Sequence, residues 1–199
     1  ALEELYDELW VYGIKEICDP FEGIDLPANV KIKTRYTGYL KRHVPTVGAS
    51  PQFNIPEDPF ILITAGGGGD GEGLMEWVLR AYEYDPDLPY PAVLVLGPFM
   101  SQEKQAEFLE RSSKLDRVQA MTFDARIESL MSKAAGMVSM GGYNTFCEIL
   151  SFDKRALIIP RTEPRLEQYI RAKRAEDLGL VSMLVDNGDH DPKEIAKSL

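Results

Sequence analysis

Gly-Gly-Tyr-Asn-Thr-Phe-Cys-Glu, at residues 141–148, is the stretch that decides the fold. A short apolar run precedes it at residues 135–140, and an apolar-periodic segment follows as far as Phe152. This order predicts a strand, a glycine turn and the start of a helix. The first N–H groups of a helix have no partner within it, so a turn of this kind can hold a phosphate group.

A second glycine turn, Gly-Gly-Gly-Gly-Asp-Gly-Glu-Gly at residues 66–73, also follows an apolar strand. Two turns suited to anions in one small domain indicate a ligand that carries a diphosphate. The dinucleotide fingerprint needs an acidic residue at the end of the second strand, and that strand ends Leu96-Gly97-Pro98, so a nicotinamide or flavin cofactor is not favoured. A P-loop is excluded because no Gly-Lys-Ser/Thr follows the glycines. The structural alternative is a tight turn packed against a neighbouring helix.

From residue 60 onwards apolar strands alternate with helical patterns. The strands are predicted at residues 60–64, 92–96, 118–123, 137–140, 156–160 and 180–185. We expect an α/β fold with a doubly wound parallel six-stranded sheet, Rossmann-like, in the strand order 3-2-1-4-5-6. The first and fourth strands are neighbours in that order, so both glycine turns should face one crevice. Residues 1–45 carry strands predicted at 9–12 and 31–36, and a Pro-rich connector follows them.

Composition limits the partners. The 199 residues carry a net charge of −10, which argues against nucleic acid. No apolar run approaches the ~20 residues of a membrane span. Two cysteines far apart fit a reducing cytoplasm, and two histidines outside any ligand spacing predict no metal site. Residues 154–174 are positively charged, unlike the chain as a whole, because they contain seven basic residues and two acids. This indicates either a solvated helix face or a local positive field for a small anion.

Most of the individual candidate side chains have both a structural and a functional interpretation. Glu148 follows Thr145 with the spacing of a capping box, or its carboxylate accepts hydrogen bonds from a ribose diol. Asn144 and Thr145 cap the helix, donate to a phosphate, or do both. Phe123 belongs to the core or to the cleft. The pair Glu167 and Gln168 is an exposed helix start or contacts sugar hydroxyls, and Tyr143, which sits on a turn, is expected to line the cleft.

These motifs together resemble the C-terminal, donor-binding domain of MurG-like glycosyltransferases of the GT-B fold, over residues 60–185. The resemblance rests on the glycine turn, on Thr145-x-x-Glu148, on the strand ending at Pro160 and on the polar pair Glu167-Gln168. Residues 36–39, Tyr-Thr-Gly-Tyr, are similar to the interdomain crossover of that family.

The resemblance implies a nucleotide sugar, in particular a UDP-sugar, as ligand, with no other cofactor and no metal. The base would lie near residues 123–126, the ribose on Glu148, the diphosphate at residues 142–145 with residues 67–70 on its other side, and the donor sugar at Glu167 and Gln168. The nucleotide-sugar site predicted in this way comprises Gly67, Gly68, Gly69, Asp70, Phe123, Arg126, Gly141, Gly142, Tyr143, Asn144, Thr145, Glu148, Arg161, Glu167 and Gln168. Family members that use N-acetylglucosamine have Gln in place of Glu167, so the donor sugar, a hexose or an N-acetylhexosamine, stays open.

The resemblance divides the chain into residues 1–45, a remnant of an N-terminal domain with the crossover, and residues 46–199, the nucleotide-sugar-binding domain. The implied activity is metal-independent glycosyl transfer to a hydroxyl of a lipid-linked or small-molecule acceptor, in the cytoplasm or at the inner face of its membrane. The catalytic base is expected in the N-terminal domain, so these residues alone should bind donor without transferring it. The alternatives are a non-catalytic subunit of a two-chain transferase and a GT-B-fold sugar-nucleotide epimerase, which the scarcity of histidine argues against.

Overall fold

The computed structural model describes residues 2–45, 56–66, 69–123 and 127–199. The strands are β1 Leu9–Val11, β2 Thr34–Tyr36, β3 Ile61–Thr64, β4 Ala92–Val95, β5 Val118–Met121, β6 Gly136–Ser139, β7 Arg155–Ile158 and β8 Ser182–Met183. The helices are α1 Ala28–Lys33, α2 Glu72–Tyr84, α3 Gln102–Ser112, α4 Ile127–Lys133, α5 Tyr143–Ser151, α6 Glu167–Asp177 and α7 Pro192–Ala196.

Six strands form one parallel sheet in the order β5-β4-β3-β6-β7-β8. This confirms the predicted order 3-2-1-4-5-6 of a doubly wound α/β fold. All residues of β3, β4 and β6 are buried, as expected for a parallel sheet that is covered on both faces. β3 and β6 are hydrogen-bonded neighbours, with Thr64 opposite Ser139 at their carboxyl ends. The two glycine turns therefore leave the sheet side by side.

The core has two layers, one on each face of the sheet. Ile61 and Ile63 of β3 pack with residues of α2, α3 and α7, whereas Leu62 packs with residues of α4, α5 and α6. This alternation follows from the two-residue period of a strand. Each large apolar side chain buried in this way contributes roughly 1.5–3 kcal/mol to folding. A long buried sheet between two helical layers gives the loops at its carboxyl edge a rigid base.

The N-terminal segment departs from the sequence prediction in one place. Residues 31–36 were expected to be a strand, but Ala28–Lys33 form the short helix α1 and only Thr34–Tyr36 extend, pairing in parallel with β1. Pro27 precedes the helix with φ −53°, and its carbonyl accepts hydrogen bonds from the N–H groups of Val30 and Lys31. Val30 anchors this turn because its side chain is buried. Basic residues alternate with uncharged ones over residues 30–36, which is the two-residue period of a strand, so the pattern alone favoured the wrong structure for residues 31–33.

Candidate functional site

A cavity of about 240 Å³ lies between the two glycine turns, above the carboxyl ends of β3 and β6. Eight of the predicted site residues line it: Asp70, Gly141, Gly142, Tyr143, Asn144, Thr145, Arg161 and Gln168. Thr64, Ala65 and Gly66 complete the wall on the β3 side, and Met140 on the β6 side. Residues that are predicted on separate segments of the chain thus line one cavity.

The glycine turn at residues 141–142 leads into α5 at the cavity. Gly141 has φ +69°, and a Cβ there would lie 2.7 Å from Cγ2 of Ile158, so the position requires glycine. Gly142 is the N-cap, and its carbonyl accepts the first helical hydrogen bond from Phe146 at 2.8 Å. Residues 143–145 form the first turn of α5, whose leading N–H groups have no partner within the helix. This end of α5 can bind an anion through N–H groups and the helix dipole.

The capping-box interpretation of Glu148 is wrong. α5 begins at Tyr143, so Thr145 is the third helical residue and Glu148 the sixth, and no side chain caps the helix among the described residues. Glu148 is instead 9% exposed on a helix that packs beside α4. A carboxyl group so far into the helix is too distant from the first N–H groups to bond them. The ribose interpretation of Glu148 remains.

Three influences act on the Glu148 carboxyl group. Burial, the largest of the three, and the negative charge of Glu128 on α4 raise its pKa, Arg42 lowers it, and the net result is a pKa of about 7. Oε2 of Glu128 is itself buried and has no hydrogen-bond partner within the part of the chain that the structure describes. Near neutral pH the Glu148 carboxyl group is therefore poised between its neutral and charged forms.

Arg161 crosses the cavity from the loop after β7. Its Nη1 donates to Oδ2 of Asp70 at 2.6 Å, and Nη2 lies 3.9 Å from Oε1 of Glu167. The backbone N–H of Arg161 donates to Oε1 of Gln168 at 3.1 Å, which fixes the start of the side chain. A cation thus stands at the cavity with its charge turned towards Asp70 on the opposite turn.

Two contacts to α5 come from a segment that the site prediction omitted. Nη2 of Arg42 donates to Oδ1 of Asn144 at 2.7 Å, and the Arg42 N–H donates to Oγ of Ser151 at 2.9 Å. Tyr39 packs on Phe146 edge to face, with ring centroids 5.1 Å apart, and lies 6.0 Å from the Tyr143 ring. The similarity of residues 36–39 to a crossover was the only sequence signal near them.

Four other predicted residues, Gly69, Phe123, Glu148 and Glu167, do not line this cavity. Gly69 is beside the Phe99 carbonyl, and Glu167 opens α6 with a half-exposed side chain. Phe123, beyond the end of β5, is 58% exposed, which excludes its core interpretation. Gly67, Gly68 and Arg126 lie outside the described residues.

A second cavity of about 340 Å³ adjoins the first and shares Asp70, Met140 and Arg161 with it. Its walls include Thr162, Glu163 and Asp186. Oδ2 of Asp186 lies 2.9 Å from Nε2 of His190, whose ring packs beside Trp77 at 5.7 Å between centroids. Both cavities are thus lined by the Arg161–Asp70 pair, and the larger one adds the carboxylates of Glu163 and Asp186 and the hydroxyl of Thr162.

The described residues offer neither a metal site nor a membrane-spanning helix. They contain no group of three or more His, Cys, Asp or Glu residues placed to hold a metal ion. Across the same residues, none of the helices has both the length and the apolar character needed to cross a membrane.

Comparisons with known proteins agree with this geometry. Residues 61–199 match the family model described as the glycosyltransferase family 28 C-terminal domain. The comparison with curated proteins gives no match.

Solved structures with a similar fold include CalG4, the calicheamicin glycosyltransferase, with a TM-score of 0.65 and 18% identity over 98% of this chain and 43% of that one. MurG of Acinetobacter baumannii has a TM-score of 0.56 and 19% identity over 71% of this chain and 40% of that one. The glycosyltransferase VinC, solved in complex with dTDP, has a TM-score of 0.54 and 22% identity over 73% and 33%. The chain spans less than half the length of each of these proteins.

Proposed function

Because the chain belongs to glycosyltransferase family 28, as its C-terminal domain, we propose that it is the donor-binding half of a glycosyltransferase. The single observation that carries the proposal is the 240 Å³ cavity, where the N-terminus of α5 and the Arg161 guanidinium face one space. Two backbone turns and one cation fit the diphosphate of a nucleotide sugar, for which we favour a UDP-sugar.

The chemistry of this half is stabilisation of the leaving group. When the bond between the sugar and the diphosphate breaks, negative charge grows on the terminal phosphate oxygen. The N–H groups of α5 and the side chain of Arg161 lie on fixed elements, so they can stabilise that charge without reorganisation. α5 and Arg161 would thus stabilise the leaving diphosphate, as a bound metal cation can do in other enzymes.

Glu148 is the proposed ribose ligand. A carboxylate accepts a hydrogen bond from each hydroxyl of a diol, and both bonds need the ionised form. The sugar group would occupy the adjoining 340 Å³ cavity, within reach of Thr162 and Glu163. Gln168 would support it indirectly, since its side chain holds the backbone of Arg161.

The acceptor half is proposed to lie on the N-terminal segment. Leu5, Trp10 and Ile32 are 74%, 61% and 71% exposed there. Large apolar side chains that are this exposed can serve as contacts with another domain or protein. We propose that this surface meets an acceptor-binding domain, either preceding these residues in one polypeptide or supplied by a second chain.

A GT-B-fold epimerase is the second candidate. The observation that favours it is that Asp186, in the wall of the 340 Å³ cavity, is paired with the side chain of His190. NMR of UDP-sugars incubated with the protein separates the candidates. A change of configuration at a sugar carbon would favour the epimerase, and an unaltered sugar would favour the transferase half.

Isothermal titration of the 199-residue chain with UDP, UDP-sugars, dTDP and GDP tests the main proposal. We expect binding of at least one nucleoside diphosphate and a clear loss of affinity in Glu148→Ala. Glu110→Ala is the matched control, because Glu110 is exposed on α3 and pairs only with Lys114 within the described residues. Absence of binding by every nucleotide at millimolar concentration would refute the proposal.

A further inference from the structure

Arg171 is a buried arginine next to the glycine turn at residues 141–142. It lies on α6 and is only 8% exposed. Its Nη1 donates to the Gly141 carbonyl at 2.8 Å, and its guanidinium carbon lies 5.9 Å from the centroids of both the Tyr143 and Phe146 rings. In the part of the chain that the structure describes, no carboxylate oxygen lies within 4.0 Å of it.

The hydrogen bond to Gly141 fixes a peptide plane at the cavity. In a trans peptide the carbonyl and the following N–H point in opposite directions. With the Gly141 carbonyl directed at Arg171, the Gly142 N–H is directed away from α6. Gly141 and Gly142 both line the 240 Å³ cavity. The backbone of Gly141 has a φ of +69°, and glycine has no side chain of its own that could hold this conformation in place. Arg171 thus sets the orientation of the first donor of the turn.

The charge of Arg171 also matters because it is buried. A guanidinium keeps its proton in proteins, so burial leaves a full positive charge in a region of low polarity. Aromatic faces at Tyr143 and Phe146 compensate for only part of the lost hydration. An anion in the adjacent cavity would meet a field that solvent screens weakly.

We propose that Arg171 is a positioning residue for the diphosphate group. It orients the Gly141–Gly142 peptide towards the ligand and supplies a buried positive charge that favours phosphate over neutral parts of the nucleotide. This proposal deepens the proposed function and rests on it.

Two substitutions separate the two parts of this role. Arg171→Gln keeps a donor for the Gly141 carbonyl and removes the charge, whereas Arg171→Lys keeps the charge and loses the planar fork. Arg174→Gln is the matched control, because Arg174 lies one turn further along α6 with a side chain 52% exposed, 3.7 Å from Glu22. The probes are UDP, measured by calorimetry, and uridine, measured by NMR titration.

We expect Arg171→Gln to weaken UDP binding roughly tenfold, as a unit charge acting on a diphosphate at short range should. Uridine binding should change less than twofold, since uridine carries no phosphate. Arg171→Lys should restore most of the UDP affinity, and Arg174→Gln should alter neither ligand. A merely structural role would weaken both ligands together, and that result would overturn the proposal.

Other outcomes also decide the matter. Unchanged UDP binding by Arg171→Gln in a chain whose wild type binds UDP would overturn this inference alone. Failure of the wild type to bind UDP would remove both this inference and the UDP preference on which it rests. If Arg171→Gln does not fold, the comparison of Arg171→Lys with the wild type carries the test, and unequal losses for UDP and uridine are then required to support it.

Discussion

Substitution of Asp70 should tighten the binding of nucleoside diphosphates. The Asp70 carboxylate stands at the cavity wall and holds Nη1 of Arg161 at 2.6 Å. An incoming diphosphate meets the negative charge of Asp70 and must compete with it for Arg161. Asp70→Asn preserves the size of the side chain and removes that charge, so the competition disappears.

The size of the effect follows from Coulomb's law. Two unit charges about 5 Å apart in a medium close to water interact by about 0.8 kcal/mol. A diphosphate with two charges gains roughly 1.7 kcal/mol from the removal of Asp70, and release of Arg161 adds up to about 1 kcal/mol. We therefore expect affinity for UDP-sugar to rise roughly 15- to 100-fold.

The protein should tolerate the change. The Arg161 and Asp70 side chains are 30% and 39% exposed, and a pair so accessible to water contributes about 0–1 kcal/mol to stability. Thermal unfolding will show whether Asp70→Asn stays within that range. Asp87→Asn, the same change on an exposed loop at the far end of α2, is the control for net charge.

Calorimetric titration at low salt and at 0.5 M salt gives the decisive comparison. The gain from Asp70→Asn should shrink at high salt because mobile ions screen the lost repulsion. Weaker binding by Asp70→Asn at both salt concentrations would refute the reasoning. It would show that the carboxylate itself holds the ligand, for example through a sugar hydroxyl.

The other predictions concern Glu148 and Gly141. The pKa of Glu148 in the folded protein, about 7, lies above the ordinary 4.5, so its contribution to stability is complete below pH 4.5 and is lost as the pH rises to 7. Glu148→Gln should remove this decline and stabilise the protein at pH 8 by roughly 3 kcal/mol, which denaturant titration at pH 4.5 and pH 8 will measure. Ribose binding needs the ionised form, so wild-type affinity for UDP-sugar should rise between pH 6 and 8, and a flat profile would contradict the ribose assignment; phosphate protonation does not interfere, because both phosphates of a UDP-sugar are esterified. Gly141→Ala should cost about 2–4 kcal/mol of stability, through its positive φ and the contact with Ile158, whereas Gly188→Ala, on an open loop with φ +81°, should cost about 1–2 kcal/mol.

The sheet was predictable from sequence because its strands are short, apolar and evenly interrupted. Buried residues at every position of β3 and β6 produce apolar runs, and right-handed crossovers leave few possible orders for six such strands. The order then brings the two glycine turns together without any knowledge of side-chain contacts. The family resemblance added the ligand class, which spacing and composition alone do not identify.

Side-chain pairs across the site were not predictable in the same way. Arg161 and Asp70 are 91 residues apart, and Arg42 and Asn144 are 102 apart, so no local pattern connects them. The spacing from Thr145 to Glu148 fits a capping box, but it does not reveal that the Gly142 carbonyl already starts the helix. The burial of Glu148 beside Glu128 depends on how α4 and α5 pack, which sequence periodicity does not specify.

The contacts of Tyr39 and Arg42 set a practical boundary for shortened versions of the protein. The family model begins at residue 61, yet both side chains contact α5, the helix that follows the glycine turn at residues 141–142. A protein that begins at residue 61 would expose the edge of the Phe146 ring that Tyr39 covers, and the Asn144 side chain would lose its hydrogen bond from Arg42. A shortened recombinant version should therefore begin before residue 37, although residues 37–60 lie outside the limits of the family model.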